Sequence, residues 1–355
     1  PLVKGDSYGK TTTFFVQNAS SDPTTITALF TMRNGDTHTW TSGEIQSNRM
    51  VIFSVLDVSS FDPVDNNGRV GGLQVTSSGG ATLAGVVMEH NTAEDPATIL
   101  QSTRGFTQAD FDDKLYTPVI KNNRYGRFTG IQVQNVGTDP ITITVTYNTS
   151  ACADSNDMGS YTDTATGVAG GTSKTFVNLP GQTTLPEGCT ASATVDATGN
   201  VVAIVNEAYS TGNIPSSGQK AVTSSALADS AATAEISVPL FKDDRYDKRT
   251  GLQIQNVGLA AATNIVATFN CSGAATFTAV SEPQSADPGA AVLFIHPSAR
   301  GDLFTSGNPF ESDSVNCGVT VTADQPIVAI ANESVPAGFA TIQDNNNYEG
   351  FNLQP

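Results

Sequence analysis

Three sets of residues have the types and spacing for chemistry. Lys4, Lys121 and Lys242 recur in register with Glu89, Glu207 and Glu333, and Asn206 and Asn332 stand beside the last two glutamates. Lysine, asparagine and a carboxylate brought together could close an intramolecular isopeptide bond with loss of ammonia. An ordinary ion pair is the plainer expectation, because Met88 stands where the first copy would need its asparagine. Two turns carry oxygen donors of the kind calcium takes: "DPVDNNG", with Asp62, Asp65 and Asn66, and "ADSND", with Asp154 and Asp157. Neither follows the EF-hand spacing, so solvated turn chemistry competes with a structural calcium, the one cofactor the sequence suggests. The third set is the four cysteines, Cys152, Cys189, Cys271 and Cys317.

The cysteines allow three connectivities. Cys152 and Cys271 each follow a strand-like run, and Cys189 and Cys317 each precede another, so the expected pairs are Cys152–Cys189 and Cys271–Cys317. Each bridge would close a loop of roughly 40 residues and stabilise it by about 3–4 kcal/mol in the chain-entropy model. Zinc would require closer ligand spacing. Paired cysteines point to an oxidising, extracellular location. Sequons at Asn18, Asn148, Asn270 and Asn332 fit the same compartment as glycosylation candidates.

The familiar catalytic signatures are missing. His38, His90 and His296 belong to no metal-ligand spacing, and no GxxxxGK[ST] or GxGxxG run occurs. Acidic neighbours such as Asp112–Asp113 and Asp243–Asp244 do not supply the two opposed carboxyls of a glycosidase cleft. The expectation is a protein that is not an enzyme. Seventeen basic against 34 acidic residues give a formal charge of −17, and no Lys/Arg stripe stands out, which argues against nucleic acid as partner. No apolar run approaches the ~18 residues of a bilayer span.

The elements that must position these residues are written in a repeat. "YGRFTGIQVQNVG" (Tyr125 to Gly137) returns as "YDKRTGLQIQNVG" (Tyr246 to Gly258) and, in worn form, as "YGKTTTFFVQNAS" (Tyr8 to Ser20). Pro1, Pro118 and Pro239 hold the register. So do the runs ending at Glu89, Glu207 and Glu333, giving three tandem domains at residues 1–116, 117–237 and 238–355. Within each the period is two: Ile131 and Val133 alternate with Gln132 and Gln134, then Ile141, Ile143, Val145 and Tyr147 with threonines. With "NVGTDP" between them, these two runs read as a β-hairpin. The asparagine closes the turn, and the tyrosine before the first strand is expected to pack on a sheet edge. Short strands in units of about 120 residues predict an all-β chain of three immunoglobulin-like sandwiches, with a jelly roll as competing topology.

The proline before the first strand, "TGIQVQNVG", the "SATV" strand and "VVAIVNE" resemble the tandem sandwich repeats of large bacterial cell-surface and secreted proteins. The resemblance covers essentially the whole chain, most strongly its second and third repeats. It implies surface display and assembly and brings no catalytic residues. The chain also begins where the later repeats begin and ends a few residues short of where a fourth would start. A subunit in phase with itself can continue head to tail, and such heterologous contacts give open filaments. The expected function is a structural subunit of an extracellular filament, pilus-like fibre or surface layer, with copies of itself as partner. An adhesin or carbohydrate-binding stalk, meeting other surface proteins or glycans, is the alternative; a single tryptophan, Trp40, weighs against it.

Overall fold

The computed structural model describes residues 1–65, 67–91, 100–209, 221–295, 297, 301–304, 310, 314–335, 346–349 and 351–352. Among them every long element is a strand, interrupted by single 3₁₀ turns, and the sheets are antiparallel. No described helix is long and apolar enough to cross a membrane.

In the first repeat the strands are β1 (Val3–Lys4), β2 (Lys10–Asn18), β3 (Ile26–Met32), β4 (Thr37–Thr41), β5 (Met50–Ser54), β6 (Val70–Ser77), β7 (Leu83–Asn91) and β8 (Leu100–Arg104). They form two four-stranded sheets, ordered β1-β6-β3-β4 and β5-β2-β7-β8. Phe14, Phe30 and Phe53 meet between them, with ring centroids 5.6–6.3 Å apart.

The second repeat has β9 (Asp112–Asn122), β10 (Arg127–Asn135), β11 (Ile141–Cys152), β12 (Ser160–Val168), β13 (Ser173–Val177), β14 (Cys189–Tyr209), β15 (Ala221–Ser225) and β16 (Leu227–Ala228). The third has β17 (Thr233–Asp243), β18 (Arg249–Asn256), β19 (Ala262–Gly273), β20 (Phe277–Val280), β21 (Gln284–Ala286), β22 (Ala291–Ile295), β23 (Val315–Ser334), β24 (Asn346–Glu349) and β25 (Phe351–Asn352). Each of these repeats also has its own apolar core, around Ile131, Val133 and Tyr147 in one and Phe241, Phe269 and Phe294 in the other. The alternation in β11 does what period-two patterning requires: Ile141, Ile143, Val145 and Tyr147 are buried and the intervening threonines are half-exposed.

The 21-residue β14 serves two different sets of partners within one eight-stranded sheet. Its first part, through Ala197, pairs with β11, and its last part, from Val201, pairs with β10. β23 repeats the arrangement between β19 and β18. In the first repeat the same path is broken into β6 and β7 by Ser78–Gly80, where Gly79 and Gly80 take φ of 66° and 71° and cannot continue a pleat.

This topology corrects the expected hairpin. β10 and β11 do not pair with each other; both pair with β14, at different ends. In the first repeat β2 and β3 lie in separate sheets outright. The turn between them is therefore a crossing from one sheet to the other.

Candidate functional site: the face between repeats

The copied sequence builds three local structures, each three times over. At its start, Tyr8, Tyr125 and Tyr246 have φ of 52–55°, and each is followed by another residue of positive φ inside a two-residue turn, the backbone of a type I′ hairpin. These tyrosines do not pack on a sheet edge as the sequence suggested. They are 80%, 75% and 69% exposed, because the left-handed turn turns the side chain outward. Arg124 and Arg245 lie over the last two rings, 4.6 and 4.5 Å from their centroids.

At the end of the copied stretch the asparagines behave as expected. Asn135 Nδ2 donates to the carbonyls of Asp139 (2.8 Å) and Val168 (2.9 Å), and its Oδ1 accepts from Gly137 N. Asn256 and Asn18 make the corresponding bonds, and all three are fully buried. A buried amide with both ends engaged leaves Asn18 out of reach of a glycan in the folded protein. Asn148 and Asn332 are half-buried, and Asn270 is exposed.

The third local structure is a buried charge triad. Glu207 accepts from Lys121 Nζ at 2.8 Å and from Arg127 Nη1 at 2.7 Å. Glu89 holds Lys4 and Lys10 at 2.8 and 3.3 Å, and Glu333 holds Lys242 and Lys248 at 2.5 and 2.9 Å. Burial alone would raise the Glu207 carboxyl; the two adjacent cations and their hydrogen bonds outweigh it and hold the group below the ordinary glutamate range. Glu89 and Glu333 are depressed against the same burial by their lysine pairs. The sequence reading found the lysine and the glutamate and missed the second cation, although "YGK", "YGR" and "YDK" carry it in every copy. The isopeptide idea fails on strand alternation. Asn206 neighbours Glu207 on one strand and so faces the other side of the sheet, where its Oδ1 accepts from Thr223.

Both cysteine pairs are bonded across directly opposed strand residues, with Cα atoms 4.0 Å apart. They link the same strand pair on different rungs: Asn148 faces Ser192 as Asn270 faces Gly318, which sets Cys271 level with Thr149 rather than with Cys152. Two of the calcium candidates bond within their own turns. Asp65 Oδ1 accepts from Gly68 N, Asp154 Oδ1 accepts from Asn156, Asp62 is exposed, and Asn66 lies outside the described residues. Among the described residues no three acidic, histidine or cysteine side chains gather. His38 meets Ser60 and the Phe61 ring, His90 meets Thr13, and His296 lies outside the described residues.

What the repeats do share, beyond their interiors, is the way they meet. Gln134 Nε2 donates to the carbonyl of Gly171 at 3.1 Å, and a Cβ added at Gly72 of the first repeat would overlap that glutamine and that carbonyl. Gln255 Nε2 donates to Gly289 O at 3.0 Å, and Ser192 of the second repeat, equivalent to Gly72 in register, donates its hydroxyl to the same carbonyl at 2.7 Å. Thr31 lies against Gly171 as its equivalent Asn148 lies against Gly289. Leu2 and Ile204 close the apolar part of the first junction. Both junctions thus press the forward face of one repeat onto the rear face of the next, with equivalent residues in the same sense. The chain matches no protein-family model and no curated protein.

Proposed function

We propose that the protein is a non-catalytic structural subunit of an extracellular filament, pilus-like fibre or surface layer, each repeat forming one immunoglobulin-like sandwich. The observation that carries this reading is the reuse of one heterologous junction twice within the chain. A contact between two different faces does not use itself up, since each added unit presents the face that the last one covered. The two disulfides and the strand-rich, low-charge composition suit a secreted role, and the likeness to bacterial surface repeats points the same way.

A second reading has its own support. The exposed Tyr8, Tyr125 and Tyr246 recur once per repeat, and two carry an arginine on the ring; tyrosine and arginine are among the residue types enriched at binding surfaces. This favours an adhesin stalk. Trp40 does not add to it, being half-buried and stacked on Phe53 at 4.4 Å.

Electron microscopy of the full chain at rising concentration separates the two. Ordered fibres or sheets with an axial repeat of three units support the structural subunit; isolated rods that bind glycans through the tyrosines support the stalk. Addition of Ca²⁺ in a parallel sample tests whether the ion takes part.

A further inference from the structure

We infer that the chain docks onto a second copy of itself by the junction it already uses internally, the forward face of the third repeat seating on the rear face of the first. The inference rests on the filament reading above and assigns its contact. Its basis is a pattern of exposure that follows position in the chain rather than residue type. On the rear face, Ile204 and Ile330 are 3% exposed, while their first-repeat equivalent Val86 is 46% exposed. Gln134 and Gln255 are 4% and 0% exposed, whereas Gln17 is open to solvent. On the forward face, Leu2 and Val119 are buried, while the third-repeat equivalent, Leu240, is exposed.

The uncovered rear face keeps the junction's form. Gln17 Nε2 donates to Asn48 O at 3.1 Å, the same bond that Gln134 and Gln255 make to Gly171 and Gly289. Asn48 holds a φ of 59°, close to the 74° and 78° of those glycines. The hydrogen bond that shapes the seat is thus formed on a face open to solvent. Around it the first repeat carries larger apolar side chains: Met50 stands where the second and third repeats have Ser173 and Ala291, and Ile52 where they have Thr175 and Leu293, and the two are 57% and 55% exposed. Such an apolar cluster beside a glutamine that is covered in both other repeats suits burial by a protein surface. The forward face of the third repeat meets its requirement of small and uncharged residues, with Gly318 at the place of Gly72 and Ser192, where a Cβ would meet no atom within 4 Å, and Asn270 at the place of Thr31 and Asn148.

The test is chemical cross-linking of the full chain, using a short bismaleimide that spares the native disulfides. Leu240→Cys and Val86→Cys are prepared singly and together, their internal counterparts being Leu2 and Ile204. The double variant is expected to give a ladder of multiples. Mixing the two single variants should give dimers only, and neither alone should cross-link. In parallel, Val86→Glu and Leu240→Glu should each raise the concentration needed for assembly at least about tenfold, with melting unchanged. Fibres that form without a 240–86 cross-link, and that both charge variants still form, overturn this contact and leave the filament reading standing. Cross-linked multiples without fibres keep the contact and overturn the filament. No association by either measure overturns both.

Discussion

Glu207 is the residue on which the second repeat's buried charge turns. Its carboxylate is the one anion between Lys121 and Arg127, and the side chains are 6%, 15% and 17% exposed. Glu207→Gln would leave two cations facing each other in a poorly solvated site, an arrangement that costs about 3–5 kcal/mol when one partner of a buried pair is removed. Denaturant unfolding should show the loss in the second repeat. Because folding lowers the pKa of Glu89, Glu207 and Glu333, the triads contribute fully above the unfolded glutamate value of about 4.3. That contribution is lost as pH falls through the lower folded values, so unfolding curves should steepen below about pH 4, and less so in the Gln variant. At this scale the sequence was legible where a residue answers to its backbone. The asparagine turn followed from its tolerance of tight geometry and its self-bonding amide. The tyrosine did not, because burial was inferred from aromatic character, whereas the left-handed φ of the turn decided where the ring points.

The strands themselves were written plainly in the alternation of apolar and threonine residues. Their partners were not. Pattern says that Ile131 to Gln134 and Ile141 to Tyr147 are extended, but a turn between two strands is compatible with pairing or with crossing to another sheet. The choice lies with a third strand, β14, whose two halves capture both. The face between repeats was equally hidden, since Gln134 and Gln255 look like ordinary outward residues of a half-buried strand and are covered only by a neighbouring repeat. Glycine gives this element a sharp test. Gly72→Leu forces a side chain into Gln134 and Gly171 O, while Gly318→Leu points at open space from the equivalent rung. The first should destabilise by about 1–3 kcal/mol, as overpacking does, and lower the melting temperature. The second should melt like the parent and fail to assemble.

For the whole molecule, a repeated junction between unlike faces implies a polar assembly with two distinguishable ends. A formal charge of −17 would oppose indiscriminate association of copies and leave the proposed apolar seat as the place where contact is favoured. The placement of the disulfides adds a consequence of another kind. In the second and third repeats a covalent bond ties strands 37 and 46 residues apart, and the first repeat has no cysteine. Under tension those bonds withhold roughly 120 to 165 Å of chain each, at about 3.3–3.6 Å per extended residue. Single-molecule pulling should therefore give one long extension event and two shortened ones, all three becoming long in reductant. A fibre built this way would carry in every subunit one compliant link between two locked ones, absorbing a sudden load by lengthening at the first repeat while the covalently tied repeats hold the line.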